Sequence, residues 1–208
     1  MKYPFFASIV ILCLLLMYQI HRHRDKESKA YDAFLDRERE ANSTRRKPLN
    51  DLIFIKIPLD TLPVNILSDN EKVSDYLSTL NDLSATEIIN LTGISNTDLK
   101  LKYGAPNIDR LIRADQAYTM LVRTLNDWGV FLYKQGYPDE AAVVLEYSVS
   151  TGTDVSATYD TLAQIYISRN QKEKIKELIP FAEKTNSLLT ENIVNRLKAY
   201  SDTPDILP

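Results

Sequence analysis

Seventeen residues pass without a charge between Pro4 and Ile20, "PFFASIVILCLLLMYQI". At 1.5 Å per residue the run approaches the ~30 Å of hydrocarbon in a bilayer, so the pattern predicts a transmembrane helix over 4–20. "HRHRDK" follows it, unlike the small-residue site of a cleaved leader, which favours an uncleaved anchor. Residues 21–47 then alternate charges of both signs. Ala30, Tyr31, Phe34, Leu35 and Ala41 form a narrow apolar stripe at helical spacing, which reads as a solvated helical stalk. Leu52, Ile53, Phe54, Ile55 and Ile57 make a β-prone run cut by Pro58. With nothing else in the chain to pair as a sheet, this run predicts an extended strap that completes the core of a helical domain. Helical patterns follow at 69–82 and 85–92, the second stopped by Gly93. A short helix capped by Asn96 or Thr97 should end before Gly104. From 107 to 200 the apolar positions keep helical spacing. The last helix, opened by Thr190, carries Ile193, Val194, Leu197 and Tyr200 along one stripe, as a terminal cap would. The reading is all-α: anchor 4–20, stalk 21–47, strap and connecting region 48–106, helical domain 107–200 and tail 201–208.

Sliding the sequence against itself by 34 residues shows a repeat. Leu125 meets Tyr159, Trp128 meets Leu162, and Gly129 meets Ala163. Leu132 meets Tyr166, Gly136 meets Asn170, Leu145 meets Ile179, and Ser148 meets Ala182. Large residues fall on large and small on small. The turn glycine falls on asparagine, which also tolerates a left-handed backbone. Small residues at Gly129, Ala141 and Ser148 let neighbouring helices approach, and the large ones fill the space between them.

The pattern Leu125, Trp128-Gly129, Leu132-Tyr133, Gly136 and Glu140-Ala141 resembles the tetratricopeptide repeat (TPR), a helix-turn-helix unit. The resemblance covers two copies, about 122–155 and 156–189, with 190–200 as the cap. In the second copy Ile175 stands where a small alanine is expected, and Pro180 is expected to interrupt the helix. What the resemblance implies is a protein- or peptide-binding groove on the first helix of each repeat. Its groove-facing positions become Arg123, Asn126, Val130, Tyr133 and Lys134 in the first copy. In the second they become Ala157, Asp160, Gln164, Ile167 and Ser168.

Charge divides the chain unevenly. Residues 21–50 hold nine Lys/Arg against six Asp/Glu, whereas 51–208 hold fifteen against twenty-two. An acidic domain argues against nucleic acid as a partner. The basic flank after residue 20 places the domain in the cytoplasm by the positive-inside bias, with the extracytoplasmic side as the alternative. The sequons at Asn42 and Asn90 would matter only on that other side. Both histidines, His21 and His23, lie just after the apolar run, which leaves the folded domain without the base of a Ser-His or Cys-His pair. Cys13, the single cysteine, sits within the apolar run, so neither a disulfide nor a thiolate metal site is expected. No catalytic residue, cofactor or metal is predicted. The expected function is a membrane-anchored adaptor that binds a protein or peptide, with self-association through the short repeat stack as the alternative.

Overall fold

A computed structural model describes residues 4–202, with the side chains of 4–7 and 21–28 excepted. Among the described residues every regular element is helical. These are α1 (Pro4–Ser43), α2 (Glu71–Ser84), α3 (Asn96–Tyr103), α4 (Ile108–Lys134), α5 (Pro138–Ser150), α6 (Ser156–Ser168), α7 (Lys172–Glu183) and α8 (Thr190–Ser201), with a 3-10 turn at Ala105–Asn107. The chain divides into two units, one of Met1–Pro48 with Ser95–Ile108, the other of Leu49–Ile94 with Asp109–Pro208. The side chains of His21 and His23, and the tail beyond Asp202, lie outside the described residues.

The single-pass placement, and the cytoplasmic side assigned with it, is corrected. Among the described residues no helix is long and apolar enough to cross a membrane. Seventeen uncharged residues rise only about 25 Å, less than the ~30 Å that a span must cover. Anchor and stalk are one helix, since α1 runs unbroken into the charged segment.

In the first unit the end of α1 packs on α3, burying Ala41, Leu99 and Tyr103. The cap of α3 is Ser95, whose hydroxyl accepts from the Asp98 N–H at 3.2 Å, rather than Asn96 or Thr97. Asn107 then ties the returning chain down, its Nδ2 donating to the carbonyls of Lys47 and Tyr103, both at 2.8 Å.

The second unit is built on one apolar cluster drawn from α2, α4, α5, α6, α7 and α8. Residues 49–70 form no helix, and Ile55, Ile57, Leu59, Val64 and Ile66 lean half-buried on that cluster. Helix α5 packs on α6, while α8 packs on both α6 and α7. Helices α4 and α6 end in the same way, 34 residues apart. Gly136 has φ +85°, and the N–H groups of Tyr137 and Gly136 donate to the carbonyls of Leu132 and Tyr133 at 3.0 and 3.1 Å. Asn170 has φ +54°, and those of Gln171 and Asn170 donate to Tyr166 and Ile167 at 2.8 and 3.0 Å. Both rings are Schellman motifs, which satisfy the last carbonyls of a helix only when one residue turns left-handed. Glycine does so freely, and asparagine at modest cost.

Most of the packing positions read from the repeat are interior, whereas the turn residues Gly136 and Asn170 are exposed and Ile179 is half-buried. Leu125, Trp128, Leu132, Ala141, Leu145, Leu162, Ala163 and Ala182 are fully buried, and Tyr159 and Tyr166 nearly so. Pro180 does not interrupt α7, which continues to Glu183. The proline falls in the last turns, and buried Ile175, Leu178 and Ala182 hold the helix on either side.

Residues 85–92 are not the helix their pattern predicts. They run as a strap along the ends of the hairpins. Ile88 accepts from the Ile55 N–H at 2.8 Å, Ile89 donates to the Ala114 carbonyl at 3.2 Å, and the Leu91 N–H meets the Asp115 carboxylate at 3.0 Å. The Asn90 carboxamide donates to the Tyr118 hydroxyl at 2.9 Å and the Gly152 carbonyl at 3.1 Å. Ile88, Ile89 and Leu91 are buried by these partners, so external contacts replace the helix's own hydrogen bonds.

Candidate functional site: the cleft between α2 and α4

One face of α4 is left open over three turns. Gln116, Thr119, Met120, Arg123, Thr124 and Asp127 follow one another at steps of three and one, which places them on a single stripe. Opposite them α2 contributes Asp75, Tyr76 and Thr79, and the cleft between has a volume of about 580 Å³. Its inner side is set by packing. Val73, Leu80 and Leu83 turn α2 inward, so Asp75 and Thr79 are carried to the rim. Beside the cleft Tyr76 meets Phe131 edge-on, with ring centroids 6.5 Å apart. Lys72 lies over the same ring, its Nζ 5.8 Å from the Phe131 centroid.

The electrostatics of the cleft are divided along its length. Tyr76 has its phenol pushed above the ordinary range, first by burial and then by the charges of Asp127 and Asp75. Carboxylates from both walls therefore act on one hydroxyl. Arg123 lies one turn before Asp127, and among the described residues it forms no ion pair. A base preceding an acid by four residues is the weaker order for a helical pair. Asp127 also takes a hydrogen bond from Asn126 Nδ2 at 3.0 Å instead. Met120 is 53% exposed, a flexible apolar side chain set among polar ones.

Of the ten groove positions read from the repeat, only Arg123 lines this cleft. Asn126 bridges the hairpins, its Oδ1 accepting from Thr158 Oγ1 at 3.2 Å. Tyr133 leans half-buried on the core, while Lys134 and Gln164 are exposed. Asp160 is held by α8, with Arg196 at 2.5 Å and a hydrogen bond from Tyr200. Burial pushes its carboxyl upward, and those two partners oppose the shift. The ten positions are thus dispersed over α4 and α6, and one of them is covered by the last helix. Gln116, Thr119 and Asp127 were missed by the repeat reading, and the signal that could have found them is the polar spacing 116, 119, 123 and 127. The α2 half depends on how that helix docks.

A smaller cavity of about 260 Å³ lies on the α5–α7 side, where the Tyr166 hydroxyl donates to Glu146 at 2.6 Å. Among the described residues no group of three or more His, Cys, Asp or Glu is placed to hold a metal ion. No family model, curated protein or solved structure matches this chain.

Proposed function

We propose that the chain is a protein-binding scaffold whose helical hairpins present the α2–α4 cleft to a segment of another protein. The observation that carries this reading is the cleft itself, with a guanidinium, a carboxylate and an exposed thioether along the α4 stripe and a second carboxylate on α2 opposite. Such a surface suits reversible ionic, hydrogen-bonded and apolar contacts with a peptide chain. The TPR resemblance contributes one residue to it, Arg123 on α4, the first helix of the first hairpin. The test is a pull-down with the full chain and Arg123→Gln, Tyr133→Ala and Lys134→Gln in parallel. Docking in the cleft weakens capture for Arg123→Gln and spares Lys134→Gln. Equal capture by all three removes the cleft from consideration.

Self-association is the second reading, favoured by Tyr31 and Phe34 on α1. They lie three residues apart on one face and are 61% and 56% exposed. Sedimentation of the full chain separates the readings. A dimer abolished by Phe34→Ser supports self-association, and a monomer refutes it.

A further inference from the structure

Resting on that docking reading, we infer that the segment received by the α2–α4 cleft carries a basic and an acidic side chain about one helical turn apart. The cleft presents opposite charges in a fixed order. Arg123 projects from the middle of the α4 stripe, and Asp127 follows one turn later. Asp75 faces that same end from α2. The two α4 residues are four apart, which is about 6 Å along the axis. A partner helix repeats that distance between positions three or four apart, and an extended strand between positions two apart.

The charges make the requirement strict. With the cleft open, Arg123, Asp75 and Asp127 are solvated, and leaving them unpaired costs little. A segment laid over the stripe removes that water. It must then supply an acceptor for the guanidinium and a donor for the carboxylates, or strand three charges. A purely basic segment leaves Arg123 facing a like charge, and a purely acidic one does the same to Asp75 and Asp127. An apolar segment satisfies neither end. Only the mixed pattern gives the guanidinium an acceptor and the two carboxylates a shared donor, and Met120 and Tyr76 can then pack along its apolar stem.

The probes are fluorescein-labelled alanine-glutamine peptides bearing Lys and Glu four residues apart, Lys alone, Glu alone, or neither. Anisotropy is read against the full chain. The Lys/Glu peptide is expected to bind at least tenfold more tightly than the uncharged one, and to weaken with added salt. Arg123→Gln should erase the gain from Glu, and Asp127→Asn the gain from Lys, each with unchanged thermal unfolding. Thr119→Trp, which fills the cleft, should abolish binding. If the uncharged peptide binds equally well and Thr119→Trp still abolishes it, the charge pattern is overturned while docking in the cleft stands. Should binding survive Thr119→Trp, both fall. If no peptide binds, the charge pattern is overturned.

Discussion

A methyl group added at Gly129 lands on Leu145. An ideal Cβ built there lies 2.5 Å from both Cγ and Cδ2 of that leucine. Leu145 is itself fully buried, so it has no solvent side to move toward. Gly129 sits inside α4, where alanine would ordinarily stabilise the helix by about 1 kcal/mol. Overpacking a closed core costs about 1–3 kcal/mol. Gly129→Ala should therefore lose up to about 2 kcal/mol despite its better propensity. The sign should reverse once the obstacle is removed. Leu145→Ala alone should cost about 2–5 kcal/mol as a cavity. In that background Gly129→Ala should recover about 1 kcal/mol, because the propensity gain is then unopposed. The assay is urea unfolding of the full chain followed by tryptophan fluorescence. Trp128 is the only tryptophan, fully buried beside Gly129, so the signal reports on this contact. A Gly129→Ala effect of the same sign and size in both backgrounds would refute the close approach of α4 and α5 at this point.

Three further outcomes follow from the second unit. Ser148 is fully buried with its hydroxyl unpartnered, so Ser148→Ala should raise stability by about 1 kcal/mol, and a lowered urea midpoint would contradict this. Asn90→Ala removes the bonds to Tyr118 and Gly152 and should cost about 2–3 kcal/mol by the same assay, whereas a loss below about 0.5 would deny the strap its clasp. Burial raises the phenols of Tyr118, Tyr159 and Tyr166, and pushes Tyr147 up to about 12. In the unfolded chain these groups ionise near pH 10, so above that pH the unfolded state binds fewer protons than the folded one. Stability from these groups is complete below about pH 10 and should fall as pH rises through the folded values. A urea midpoint constant between about pH 9 and 11 would contradict the sign.

The parts of this fold legible in sequence are those where a backbone or packing requirement admits few residue types. Gly136 and Asn170 stand where two Schellman turns need a left-handed residue, and Leu132 and Tyr166 stand where those turns begin. The small Gly129 marks a helix approach, and the large residues around it mark the core. What escaped detection depends on partners distant in the chain. Residues 85–92 place Ile88, Ile89 and Leu91 at spacings that fit several backbones, and the choice is made by Ile55, Ala114 and Asp115. Asp160 has a groove position's spacing, yet Arg196 and Tyr200 of α8 claim it. Of the cleft only Arg123 was read, because a polar spacing on α4 says nothing of which helix will face it. The apolar run near the amino terminus is the opposite case: it carries no charge over seventeen residues, yet among the described residues no helix is long and apolar enough to cross a membrane.

Docking of a partner segment in the α2–α4 cleft is tested most directly by site-specific photo-crosslinking of the full chain. A photoreactive residue is placed at Thr119 in the cleft, or at Glu183, exposed on α7. The account predicts a discrete adduct from Thr119, none from Glu183, and loss of the Thr119 adduct when Arg123→Gln is added. Equal adducts from both positions, or a Thr119 adduct indifferent to Arg123, would contradict it.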